Sequence, residues 1–199
     1  MRTIIACAFI CTAGVWLAYL GTDGFHAFTA EQARRYSAIH NPVKVEPARL
    51  TTHLGDEIEF FSNRDQYVVV EFIFTHCPTI CQALGRSFSQ LQGKLEDENL
   101  DGIQLLSITF DLEVDGQTEL AQFADRHGAD DSIWLVARPQ NEKQLARLLK
   151  RFGIVVLDDP LYRFVHNGGL HIVSPDGRLV AIFEPEDVDG ALEFLMART

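Results

Sequence analysis

The sequence predicts an α/β domain preceded by a separate apolar helix. Residues 67–75 are a nearly continuous apolar run of β-forming residues, which is typical of a central strand covered on both faces. After this run, amphipathic stretches with helical spacing alternate with shorter apolar runs. Residues 4–20 carry no charge, which sets them apart as a segment of their own.

Composition excludes several classes of protein. Of the 199 residues, 47% are hydrophobic and 23% are charged. This composition supplies enough apolar area for a core, which excludes a disordered, collagen-like or coiled-coil chain. The formal net charge of −11 argues against nucleic acid as a partner. Four cysteines are too few for a disulfide scaffold.

Residues 1–20 are predicted to be a transmembrane anchor. Seventeen uncharged residues are close to the length needed to cross a bilayer, and Trp16 and Tyr19 suit an interfacial belt. Arg2 supplies a positive flank, which places the amino terminus in the cytoplasm and the rest of the chain across the membrane. An uncleaved anchor is favoured over a cleaved signal, although cleavage stays open. Cys7 and Cys11, inside this segment, are interpreted as small apolar residues.

Residues 21–47 are predicted to be a tether with a short helix, and residues 48–199 the folded domain. In the tether, the run from Thr29 to Gln32 has capping-box spacing, so a helix should extend to Ile39 and end at Asn41-Pro42. Pro47 then leads into the domain.

The first half of the domain is predicted from periodicity. Gly55-Asp56 separates two short runs and indicates a hairpin that ends near Phe61. The central strand, 67–75, is followed by a helix over 79–95, whose apolar residues recur at 4-3-4 spacing. Residues 103–110 form a second buried strand.

The second half continues the alternation. A helix over 118–127, a strand over 133–136 and a helix over 141–152 are predicted in turn, with Asn141 as the helix cap. Strands 170–173 and 179–183 flank the turn-forming Pro175-Asp176-Gly177, and a helix over 188–196 closes the chain. This order predicts a thioredoxin-like three-layer sandwich with an N-terminal β-hairpin, preceded by one transmembrane anchor.

The chemistry centres on Cys77 and Cys81, which lie where the buried strand gives way to a helix. Helix-initial N–H groups favour a thiolate there, and a thiolate is both a nucleophile and a soft metal ligand. A dithiol oxidoreductase usually has two residues between its cysteines, whereas this chain has three. Two thiolates suit Cu(I) or Zn(II) but require a further ligand for a stable site.

Seven histidines compete to be that ligand. His166 lies in a predicted loop just before strand 170–173, from which it can reach a helix-start site. His171 lies within that strand and is expected to be a packing or surface residue, while His53 and His127 are expected to be solvated. Spacing alone does not decide among them.

Three segments resemble the Sco/SenC family of copper proteins. They are FTHCPTIC at 74–81, SITFDLEVD at 107–115 and HNGGLHIVSPDGRLVAIF at 166–183. In the last, the histidine precedes the turn proline by nine positions, which selects His166. His171 falls where the family has an apolar or aromatic residue. The chain departs from the family pattern at Leu112, Val165 and Asn167.

The resemblance implies a thioredoxin fold that holds copper through Cys77, Cys81 and His166, as Cu(I) with Cu(II) left open. It implies a role in assembling the copper centre of cytochrome c oxidase, with an oxidase subunit or another copper chaperone as partner. It places the chain in the bacterial inner membrane as a single-pass protein with its soluble domain in the periplasm. Asp111 matches the family's acidic position near the site.

A copper metallochaperone is therefore the favoured function. The alternative is a thiol–disulfide oxidoreductase in which Cys77 and Cys81 are catalytic and reduce the cysteines of an oxidase subunit. A thiol peroxidase is a third and weaker reading, because neither cysteine has the sequence context of that class.

Overall fold

The computed structural model describes residues 2–61, 65–76 and 80–198, and for residues 80–82 it describes the backbone alone. The chain divides into two compact units, Met1–Asn41 and Pro42–Thr199.

The described residues of the first unit include two helices. Helix α1, Arg2–Gly21, has no buried residue, and it is long and apolar enough to cross a membrane. Helix α2, Ala30–His40, begins where the capping spacing predicts, because the Thr29 side chain accepts a hydrogen bond from the Gln32 backbone N–H.

The described strands of the second unit form a mixed sheet and a separate two-stranded ribbon. The ten strands are β1 (Val43–Lys44), β2 (Ala48–Thr52), β3 (Glu57–Phe60), β4 (Tyr67–Ile73), β5 (Ile103–Thr109), β6 (Trp134–Pro139), β7 (Val156–Asp159), β8 (Arg163–His166), β9 (Leu170–Val173) and β10 (Arg178–Phe183). The sheet order is β1-β10-β9-β4-β5-β6-β2-β3, and β7 pairs with β8. Strands β4, β5 and β6 are parallel, so their carboxyl ends meet at one edge.

In the described part of the second unit, four helices cover the sheet. They are α3 (Ile80–Asp97), α4 (Gln117–His127), α5 (Glu142–Phe152) and α6 (Val188–Met196). Helix α3 packs beside α4 and α6. Phe88 of α3 contacts Trp134 on one face of the sheet, whereas Phe152 of α5 contacts Phe72 on the other. The result is the predicted three-layer sandwich.

Two features differ from the sequence-based prediction. The sheet reaches back into the segment assigned to the tether, because β1 pairs with β10 through Val43 and Leu179. The sequence predicts a loop around His166 and no element over residues 156–163, whereas residues 156–166 fold as the β7–β8 hairpin. Its strands are only four residues long and mostly exposed, so the hydrophobic alternation that marks longer strands is weak in both.

The core contains a carboxyl group that no motif predicts. Glu71 of β4 is fully buried and accepts a 2.5 Å hydrogen bond from Ser107 Oγ through Oε1. Trp134 Nε1 in turn donates to Ser107 Oγ at 2.8 Å. Among the described residues, Glu71 Oε2 has no hydrogen-bond partner. Burial raises the pKa of Glu71 to about 8, although the hydrogen bond from Ser107 acts to lower that pKa.

We expect Glu71 to make the fold less stable as the pH rises. An unfolded glutamate ionises near its ordinary pKa of 4.5, whereas the folded one keeps its proton until about pH 8. The native state therefore binds more protons between these values, and the free energy of unfolding should fall by about 1.4 kcal/mol per pH unit. The Glu71→Gln variant should lose this slope between pH 5 and 8. Thermal unfolding in neutral detergent tests this, and an unchanged slope would show that Glu71 ionises normally.

Candidate metal centre

The predicted cysteine site begins at the carboxyl end of β4. Cys77 lies outside the described residues. Cys81 is the second residue of α3, so the structure places it in the first turn of a helix, as the sequence predicts. Residues 74–76 connect the end of β4 to this region, and their positions are described.

Asp115 fixes the backbone just before Cys77. Its side chain is fully buried and accepts hydrogen bonds from the Thr75 backbone N–H at 3.0 Å and from Thr75 Oγ1 at 2.6 Å. Thr109 Oγ1, at the end of β5, donates to the same carboxylate. Arg138 donates to the backbone carbonyl oxygens of Leu112 and Asp115, both at 3.0 Å, which holds the loop that carries the carboxylate. The turn that leads into Cys77 is therefore tied to the neighbouring strand ends.

His166 lies at the same edge of the sheet. It is the last residue of β8, and its ring is buried against Phe110, with 4.8 Å between ring centroids, and against Phe74, at 6.2 Å. Phe74 precedes Cys77 by three residues. His166 Nδ1 lies 3.0 Å from the Asn167 carbonyl oxygen, which can only accept, so Nδ1 carries the proton. The lone pair of this tautomer is on Nε2, the nitrogen that would bind a metal.

The hairpin that carries His166 is clamped at both ends. Arg163, at the start of β8, forms a two-point ion pair with Asp111 at 2.6 and 2.9 Å, and also contacts Glu113 at 3.0 Å. At the base, Asn167 accepts from the Val155 backbone N–H at 2.7 Å and donates to the Gly153 carbonyl oxygen at 3.0 Å. Asp111 thus lies near the site, as expected, but acts on it by holding the hairpin.

The position of His166 corrects one prediction. Sequence spacing places it in a loop, whereas it ends a strand, paired with Val156. The turn at the tip of the hairpin is closed by Asp159, whose Oδ1 accepts hydrogen bonds from the backbone N–H groups of Leu161 and Tyr162. A strand end positions the imidazole more rigidly than a loop would.

His171 does not share this edge. It is fully buried in β9, and its ring packs edge-on against Phe72 and Phe152 on the face covered by α5. Its Nδ1 lies 3.0 Å from the Val70 carbonyl oxygen. Of the two roles expected for His171, packing or surface, the structure shows packing.

Two other histidines differ from expectation. His53 is buried, and its Nε2 lies 2.9 Å from Asp131 Oδ1. His127 packs against Phe123, and a Cβ added to Gly85 would come within 2.7 Å of its ring atoms. Burial lowers the pKa of His127, and the positive charges of Arg126 and Arg86 lower it further. Both were expected to be solvated because they lie at loop or helix-end positions, but each is covered by residues distant in sequence.

Sequence reasoning missed the residues that position the site. Asp115, Thr75 and Arg138 carried no prediction of their own, although Asp115 closes the segment 107–115 that matches the family pattern. Arg163 and Asn167 were also missed as supports, because their partners lie up to 52 residues away in the chain.

Comparison with known proteins decides the family. The model of the SCO1/SenC family matches residues 38–194, which is most of the chain. The chain belongs to the SCO1/SenC family. This Sco/SenC chain is 28% identical to the SCO1 protein homolog of Bacillus subtilis over 139 residues, which cover 69% of this chain and 72% of that protein.

Solved Sco structures share its fold. BsSco, a member of the Sco family of cytochrome c oxidase assembly proteins, matches with a TM-score of 0.69 at 23% identity, over 80% of this chain and 96% of BsSco. Yeast Sco1 with copper bound matches with a TM-score of 0.65 at 18% identity, over 79% and 91% of the two chains. The predicted family and thioredoxin-like fold are confirmed. Sco proteins include copper-binding proteins and cytochrome c oxidase assembly proteins.

Proposed function

We propose that this Sco/SenC chain is a membrane-anchored copper metallochaperone that binds copper through Cys77, Cys81 and His166. The observation that carries the proposal is the position of His166, buried against Phe74, three residues before Cys77, in the tautomer whose lone pair is on Nε2. Two thiolates and one imidazole form a soft, three-coordinate site that suits Cu(I) and permits transfer by ligand exchange.

The local architecture supports a site that is prepared before the metal arrives. Asp115 holds the turn on one side, and the Arg163–Asp111 ion pair holds the hairpin on the other. Preorganised outer residues of this kind typically raise metal affinity by about 10–100-fold. Because the two cysteines must be reduced to thiols before they can bind copper as thiolates, copper loading would depend on their redox state.

Helix α1 supports membrane attachment. Residues 4–20 of the helix carry no charge, and the positive charge of Arg2 at its start favours an amino terminus in the cytoplasm. The second unit would then lie on the outer side of the bacterial inner membrane, in the periplasm. There it would deliver copper to the copper-centre subunit of cytochrome c oxidase, or exchange it with another chaperone.

Copper titration of the full chain tests the function. The reduced protein in neutral detergent should bind one equivalent of Cu(I) in competition with a chromogenic Cu(I) chelator. A thiol–disulfide oxidoreductase would instead reduce a disulfide-bonded oxidase fragment with no copper dependence. Stoichiometric reduction without copper binding would overturn the proposal in favour of that alternative.

His166→Ala and His171→Ala should separate the ligand from the packing histidine. We expect His166→Ala to weaken Cu(I) binding by about 10–100-fold, because two thiolates still hold the ion, and to abolish Cu(II) binding. His171→Ala should keep both but lower the melting temperature, since it opens a space against Phe72 and Phe152. The measurement is parallel titration with both oxidation states. Greater loss in His171→Ala would place the site at the strand instead of the hairpin.

A further inference from the structure

Helix α5 is a basic surface on an acidic unit. Residues 42–199 contain 14 Lys and Arg against 26 Asp and Glu. Four of these cations, Lys143, Arg147, Lys150 and Arg151, lie on the eleven residues of α5, which carry a single acidic residue, Glu142. The net charge of the chain conceals this concentration.

Three of the cations border a groove beside α5. The groove has a volume of about 450 Å³ and lies between α5 and the segment 43–48. Its apolar side is formed by Val43, Val45, Pro47, Ala48 and Leu148. Its charged side is formed by Arg147, Lys150 and Arg151, and Glu46 is the one acidic residue among the described residues that line the groove. An apolar wall beside three cations suits a ligand that has a phosphate next to a hydrocarbon part.

Glu46 does not neutralise this surface. Its Oε2 lies 3.8 Å from Arg147 Nη1, and both side chains are more than half exposed. An ion pair of this kind contributes little in water, so an incoming anion would compete with it readily.

The groove lies where the chain enters the unit. Val43 and Val45, on its apolar side, follow directly on the 20 residues that separate Gly21 of α1 from Pro42. Eleven of those residues are helical, so this segment spans at most about 50 Å. A groove so close in sequence to α1 stays within reach of the surface of the bilayer that this helix would cross.

We propose that the groove between α5 and residues 43–48 binds the headgroups of anionic phospholipids, which holds this surface of the unit against the membrane. The proposal rests on the membrane attachment proposed above for α1. Each Lys or Arg close to an anionic membrane surface contributes about a fivefold gain in binding, so three cations are enough to favour the docked state.

Lysine acetylation of the full chain in nanodiscs tests the proposal. Membrane insertion is checked first, by co-elution of the protein with the discs. Acetylation of Lys150 should then be about fivefold slower in discs containing phosphatidylglycerol than in pure phosphatidylcholine discs, and 0.5 M salt should remove the difference. Lys94 on α3 is the internal control, and its rate should be the same in both discs.

Matched variants locate the effect. Arg147→Gln with Arg151→Gln should abolish the protection of Lys150, whereas Arg49→Gln with Arg198→Gln, an equal charge change away from α5, should preserve it. Glu46→Gln should increase the protection.

Several results would overturn the proposal. Equal Lys150 rates in the two discs would do so. If inorganic phosphate protected Lys150 in phosphatidylcholine discs, the groove would be a site for free phosphate. If only polyglutamate protected Lys150, the groove would be a site for an acidic protein. Failure of the chain to enter discs would reject membrane attachment and this proposal together, while loss of copper binding with intact protection would reject only the metallochaperone function.

Discussion

Replacing Cys81 by Ser should remove high-affinity copper binding. A serine hydroxyl is a hard, protonated ligand at neutral pH, so the ion would keep one thiolate and one imidazole. Loss of outer support alone costs about 10–100-fold in metal affinity, so loss of one of the two thiolates, the soft ligands that Cu(I) prefers, should cost at least about 100-fold. Competition between the reduced protein and a chromogenic Cu(I) chelator measures this change.

The chain offers a matched control in α1. Cys11→Ser makes the same chemical change at an exposed position in the apolar helix, and it should leave stoichiometry and affinity unchanged. If Cys81→Ser bound one Cu(I) as tightly as the wild type, Cys81 would not be a ligand and the proposed centre would be wrong.

Replacing Asp115 by Ala should destabilise the fold and weaken the copper site together. The substitution leaves the Thr75 backbone N–H and two threonine hydroxyls buried without their acceptor. Unsatisfied buried donors of this kind cost about 1–3 kcal/mol each, and since the hydroxyls can partly reorient, we expect a total loss of about 3 kcal/mol. Denaturant unfolding measures the loss, and Cu(I) affinity should fall as well because the turn before Cys77 loses its tie.

Asp125→Ala is the control for this prediction. Asp125 is an exposed residue of α4, and its replacement should change the free energy of unfolding by no more than about 0.5 kcal/mol. An Asp115→Ala variant as stable as Asp125→Ala would mean that the carboxylate does not hold the turn.

The sequence by itself determined the helices and most of the strands of the second unit, β1, β7 and β8 being the exceptions. The helix predicted over 188–196 is α6, Val188–Met196, and the helix predicted over 141–152 is α5 with its Asn141 cap. These two predictions are confirmed because helical periodicity and capping are local, and each is set by a few neighbouring residues. The central strand was equally predictable, since a strand buried on both faces is predominantly apolar.

The sequence also predicts the residues of the proposed copper site, through two different routes. Cys77 and Cys81 stand out from their position at a strand-to-helix junction, which is a local feature. His166 was selected over His171 by the resemblance to the Sco/SenC family, because the sequence pattern alone places His166 in a loop and His171 in a strand without deciding which one is the ligand.

Only the tertiary structure decided how the centre is supported. Asp115 meets Thr75 across 40 residues, and Arg163 meets Asp111 across 52, because the parallel strands β4 and β5 end at one edge and the β7–β8 hairpin returns to it. The same holds for Glu71, whose burial depends on Ser107 and Trp134 from two neighbouring strands. A polar residue looks the same in sequence whether it is solvated or buried, and its partners are set by strand order, which no local pattern encodes.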